Sequence, residues 1–154
     1  MRRLVLLAAL LAGCSSTHPC TMVGTPVGVS VHVQAPLAAR AQSVSMEVCW
    51  DGSCRPVRSD LMPSTKADGS TCSGDTCSAT AVETGDKNTF GDVQGLPARA
   101  VRVRLKLLDA EAAPVFDRTL DVTPKMRYPN GPECGAGGPN AVLTVGADGT
   151  VRES

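Results

Sequence analysis

Seven cysteines are the most reactive side chains in this chain of 154 residues. Two pairs of them share one spacing. Cys49-Trp50-Asp51-Gly52-Ser53-Cys54 has Asp-Gly at its centre, a two-residue hairpin signal because both turn positions must accept positive φ. With that turn, Cys49 faces Cys54 in a non-hydrogen-bonded pair, whose Cα separation of about 4.5 Å lies within disulfide range. Cys72-Ser73-Gly74-Asp75-Thr76-Cys77 repeats the spacing with Gly-Asp at the turn. The expected bonds are therefore 49–54 and 72–77. Zinc is the competing chemistry for closely spaced cysteines, and spacing by itself does not exclude it. The compartment does weigh against it, and Cys14 carries the compartment signal.

Arg2 and Arg3 precede an apolar run, Leu4 to Leu11, that is too short to span a bilayer and reads as a signal peptide. Leu11-Ala12-Gly13-Cys14 then resembles a bacterial lipobox. The resemblance implies cleavage before Cys14, a thioether-linked diacylglyceryl group on its sulfur, and a chain held at the cell membrane, facing the extracytoplasmic side. The domain plan is then a lipoprotein signal peptide over 1–13, a lipidated polar tether over 14–23, and one folded domain over 24–154. With Cys14 lipidated, six cysteines remain, an even number in an oxidising compartment. Cys20 and Cys134 are the pair left over, and their long closure should stabilise the fold more than either short one.

About 140 mature residues suffice for one domain, too few for a two-lobed solute-binding protein. The full chain balances 15 basic against 15 acidic residues, and loss of Arg2 and Arg3 leaves it slightly acidic. That balance argues against nucleic acid and against a polybasic membrane patch. Trp50, Phe90, Phe116 and Tyr128 are the only aromatics. A Val/Leu/Ala core buries less area per residue, which makes cysteine staples the natural supplement.

Alternation at period two dominates the domain. Val27, Val29, Val31 and Val33 share one strand face; Val44, Met46, Val48 and Trp50 share another. Val101 to Leu108 turns Val101, Val103, Leu105 and Leu107 inward and Arg102, Arg104 and Lys106 outward. Val115 to Val122 is its hairpin partner. Setting Leu107 opposite Phe116 also sets Val103 opposite Leu120, Val101 opposite Val122, Lys106 opposite Asp117 and Arg102 opposite Asp121. One register satisfies both faces; only Arg118 falls on the inward side. Ser59 to Ser78 has no apolar period and reads as an exposed loop, followed by weak strands near 79–84 and 89–94. A last hairpin, 141–151, turns at Asp148-Gly149. About nine short strands and no amphipathic helix predict an all-β, antiparallel sandwich stapled by disulfides. Gly95-Leu96-Pro97-Ala98 running into Val101–Leu105 resembles the E–F region of immunoglobulin-like sandwiches, although the tyrosine corner is missing.

The search for a reacting centre is short. His32 is the one histidine within the domain, on a polar strand face, and no Gly-x-Ser-x-Gly elbow accompanies it. Glu47, Glu83, Glu111 and Glu133 have no recognisable carboxylate partner. Asp86-Lys87-Asn88 begins like a calcium loop, but Pro97 stands where the twelfth-position glutamate belongs; Asp68 and Asp86 remain candidate calcium ligands in loops. His18, Cys20 and Met22 are copper-type donors, reduced to two if Cys20 is oxidised. Tyr128 to Pro139 is a glycine-rich loop pinned by Cys134, and with the strand after it resembles a pattern in small uncharacterised lipoproteins of high-GC Gram-positive bacteria. The reading that follows has no cofactor, no metal and no catalysis: a membrane-anchored binding or scaffolding module with an envelope protein partner, meeting it through sheet edges and the 59–78 and 128–140 loops. A small-ligand or metal-binding lipoprotein, with a pocket at Trp50 or Tyr128, is the alternative. A hydrolase built on His32 would require a carboxylate and a hydroxyl beside the ring.

Overall fold

The computed structural model describes residues 19–21 and 23–154. Cys14 and the signal segment, together with His18 and Met22, lie outside the described residues. In chain order the strands are β1 (Gly28–Val33), β2 (Ser43–Trp50), β3 (Ser53–Asp60), β4 (Met62–Ser73), β5 (Thr76–Asp92), β6 (Val101–Leu108), β7 (Pro114–Val122), β8 (Lys125–Met126), β9 (Pro139–Val145) and β10 (Val151–Glu153). One helical turn, α1 (Leu37–Arg40), follows β1.

Two sheets face each other. The first runs β10-β9-β1-β5-β4, with β8 added to β9; the second runs β3-β2-β6-β7. Alternate residues from each fill the space between them: Val29, Val31, Val33, Ala141, Leu143 and Val145 from the first, and Val44, Met46, Val48, Val103, Leu105 and Leu107 from the second, all buried. This is a disulfide-stapled β-sandwich. All three expected bonds are present, Cys20–Cys134, Cys49–Cys54 and Cys72–Cys77. The first short loop turns as its residues require, with Asp51 and Gly52 both at positive φ.

The β6–β7 register is the one that the double alternation demanded: Leu107 pairs with Phe116, Val103 with Leu120 and Val101 with Val122. On the outer face, Asp117 receives its short contacts from Arg104 instead, Nε donating at 3.1 Å and Nη2 at 2.8 Å, while Lys106 stands 3.8 Å away. The diagonal partner wins because a guanidinium fork meets both carboxylate oxygens at once. Arg104 holds the Asp117 carboxyl below the usual carboxylate range. Arg118 is opposite Leu105 but exposed. It lines an open groove with Asp148, Gly149 and Thr150, where β7 has only the β9–β10 turn across from it.

Three expectations need correction, on one segment, one strand pair and one pairing direction. Ser59–Ser78 is not a loop: it supplies the end of β3, all of β4 and the start of β5. The two weak strands after it are one long strand, β5. The sandwich is also not wholly antiparallel, because β1 pairs with β9 in parallel, Gly28 with Asn140 through Val33 with Val145. The ten strands among the described residues agree with the expected number of about nine.

Candidate interaction surface

β5 outruns its neighbour. It pairs with β1 from Asp92 (opposite Gly28) to Lys87 (opposite Val33), and there β1 ends. From Asp86 back to Thr76 it continues for about 35 Å at the ~3.3 Å rise of a strand, with only β4 beside it. Residues 65–81 are exposed along this whole two-stranded ribbon. Thr, Ser and Ala dominate both strands, so neither face offers an apolar stripe to bury. That explains why the sequence looked like a loop: period two is visible only when one face packs. What holds the ribbon is its hydrogen-bond ladder, and at its tip Cys72 bonded to Cys77 across a Cα separation of 4.0 Å.

The base is clasped to the sandwich by polar side chains. Lys87 Nζ donates to the Ala41 carbonyl at 2.7 Å, while the bonds from Asn88 Nδ2 to Ser64 Oγ at 2.7 Å and from Thr84 Oγ1 to the Ser64 carbonyl at 3.2 Å tie β5 to β4. His32 Nε2 lies 3.3 Å from Asp86 Oδ2, and Asp86 Oδ1 accepts the Ala35 N–H at 2.9 Å. Asp86, which sequence spacing could not connect to His32, thus joins β1, the turn after it and β5.

The two edges of the ribbon differ. β4 is guarded in the manner of natural edge strands: it carries Pro63, Lys66 and Asp68, and its ladder is broken between Asp68 and Thr71, where Gly69 and Ser70 oppose Ala79 alone. β5 from Thr76 to Val82 has no proline, no charge and no extra residue of its own. Every second N–H and C=O along it points away from β4 into the lane where β1 has stopped.

Chemistry elsewhere is sparse. His32 has its carboxylate, but among the described residues no hydroxyl or thiol is hydrogen-bonded to the ring. No group of three His, Cys, Asp or Glu side chains gathers among the described residues. Cys20 is in a disulfide, and the other two copper-type donors, His18 and Met22, lie outside the described residues; Asp68 stands well out on the ribbon while Asp86 is at its base, so these two calcium candidates are not brought together. Trp50 is half-buried beneath Arg55, whose guanidinium is 5.7 Å from the ring centre. Tyr128 is half-exposed and belongs to neither groove; the second groove, lined by Arg55 to Val57 and Asp92 to Gly95, is likewise open.

The 128–140 loop is a clamp. Cys134 bonds Cys20, Thr21 Oγ1 is hydrogen-bonded to Asn130 Oδ1, and Asn130 Nδ2 donates to the Val23 carbonyl at 2.8 Å. Its glycines admit this segment: a Cβ on Gly138 would lie 2.1 Å from Val27 Cγ2. The end of the expected tether is therefore fastened to the domain.

Compared with known proteins, the chain matches no family model, no curated protein and no solved structure.

Proposed function

We propose that this protein is a lipid-anchored extracytoplasmic binding module that carries its contact surface, the β4–β5 ribbon, away from the membrane. The carrying observation is polarity. The segment leading from Cys20 enters β1 at Gly28, and the clamp loop precedes β9, whose Asn140 lies beside Gly28. The ribbon leaves from the opposite end of β1, beyond Val33. With Cys14 carrying two acyl chains, a stable anchor by the two-signal rule, the ribbon tip stands clear of the lipid by the height of the sandwich plus about 35 Å of ribbon.

An isolated two-stranded ribbon is only marginally stable in water. Two polar clasps and a disulfide maintain one here although it buries nothing, which accords with a surface kept for an envelope protein. Its open β5 edge suits an extended segment of that protein, added by main-chain hydrogen bonds.

The test is photo-crosslinking in cells, with the reactive residue placed in turn at Lys66 or Thr80 on the ribbon and at Thr119 on β7. One dominant adduct from the ribbon positions, lost in Cys14→Ala, supports the reading. Equal capture from Thr119, or capture unchanged when anchoring is abolished, counts against it.

A further inference from the structure

Four large apolar side chains are exposed among the described residues: Val23, Met62, Met126 and Tyr128. Three of them lie on segments that the clamp joins. The Val23 carbonyl is bound by Asn130, the Tyr128 carbonyl accepts the Gly131 N–H at 3.1 Å, and Met126 in β8 pairs with Pro139 at the entrance to β9. One exposed apolar group needs no explanation, but three on segments fastened to one another at the same end of β1 and β9 invite one. Two of them are interleaved with cations, Lys125-Met126-Arg127-Tyr128, and neither cation is in an ion pair among the described residues. Glu133 is the one carboxylate in the segment 123–139.

We infer that this end of the sandwich rests on the bilayer, with Tyr128, Met126 and Val23 in the headgroup region and Lys125 and Arg127 reaching lipid phosphates. The inference rests on the anchoring at Cys14 proposed above. Cys14 is six residues from Cys20, so the chain between them spans at most ~20 Å. Cys20 is in turn bonded to Cys134 within the same loop as Tyr128. The acyl anchor thus keeps this loop within reach of the headgroups whatever path residues 15–19 take. Tyrosine, with an apolar ring and a polar tip, and long cationic side chains, with apolar stems and charged heads, are suited to that layer. The result is a seated domain, in which the ribbon keeps one direction relative to the membrane, in place of a domain that tumbles on a string.

The experiment uses the full lipidated chain in vesicles of phosphatidylethanolamine and phosphatidylglycerol, with lipids brominated near the headgroup end of the acyl chains. In a Trp50→Phe background, tryptophan is introduced as Tyr128→Trp or, separately, as Thr80→Trp on the ribbon. If Trp50→Phe does not fold, the same pair is read as a difference against wild type. A ring seated ~5–10 Å into the headgroup boundary should lose about half its emission at position 128, while position 80 is unchanged. Intact mass of the same sample separates the two claims. Quenching absent from a protein that carries the diacylglyceryl group overturns the seating alone. An unmodified Cys14 overturns the anchoring and the seating with it. Dimerisation that shields Tyr128→Trp without quenching assigns the patch to a second copy and overturns the lipid assignment.

Discussion

Removal of the three disulfides should separate sharply. The Cys20–Cys134 bond closes a sequence separation of 114, and the two short bonds each close a separation of 5. On the chain-entropy account the long closure is worth about 5 kcal/mol and each short one about 2 kcal/mol. The structure then modifies these values. Without the long bond, the residues before Thr25 regain freedom in the folded protein as well, offsetting roughly 1–2 kcal/mol of the loss. Cys20→Ala/Cys134→Ala should therefore cost about 3–4 kcal/mol. Cys49–Cys54 closes the β2–β3 hairpin, whose β2 packs its inner face into the core and cannot open without the sandwich, so the double alanine variant there should lose most of the ~2 kcal/mol. Cys72–Cys77 staples a ribbon tip that contacts no core. If the tip opens and closes without the sandwich unfolding, its bond restrains both states alike, and the global cost should fall below about 0.5 kcal/mol. Urea unfolding followed by Trp50 fluorescence measures all three, and amide exchange over residues 66–82 should accelerate in the 72/77 variant alone. A 72/77 loss as large as the 20/134 loss would refute the reasoning, since it would mean that the ribbon unfolds with the core.

Three further outcomes are expected. Gly28→Ala places a Cβ 2.1 Å from the Gly91 carbonyl oxygen, a backbone atom that moves only if β1 and β5 part; the loss should be about 2–3 kcal/mol by the same urea titration. Leu105→Ala empties a fully buried position between the sheets and should cost about 3 kcal/mol, with Tm lowered accordingly. The Asp117 carboxyl is held below its ordinary value of 3.8, first by its hydrogen bonds from Arg104. Its contribution to stability is thus present above the unfolded-state value and lost as the pH falls through the lower folded-state value. Arg104→Met should move the Asp117 titration upward by NMR and flatten that acid limb; an unmoved titration would show that the ion pair does not persist in solution.

The residues themselves determined the sandwich class, the valine and leucine faces, the β6–β7 register and the two short cysteine pairings, with Cys20–Cys134 left by elimination. Apart from that last pairing, these follow from local or two-sided patterns: a hairpin must satisfy both of its faces in one register, and a turn residue must accept the φ that its turn demands. Only the tertiary structure decided the ribbon, because a strand pair that buries neither face leaves no apolar period, and its Ser/Thr/Gly composition is that of a loop. The parallel β1–β9 pair, the meeting of His32 with Asp86 and the hydrogen bond from Asn130 that fastens the Val23 segment to the loop after Tyr128 were likewise beyond sequence reach. Each joins segments separated by dozens of residues, and which distant strand lies beside which is settled by how both sheets close over one core.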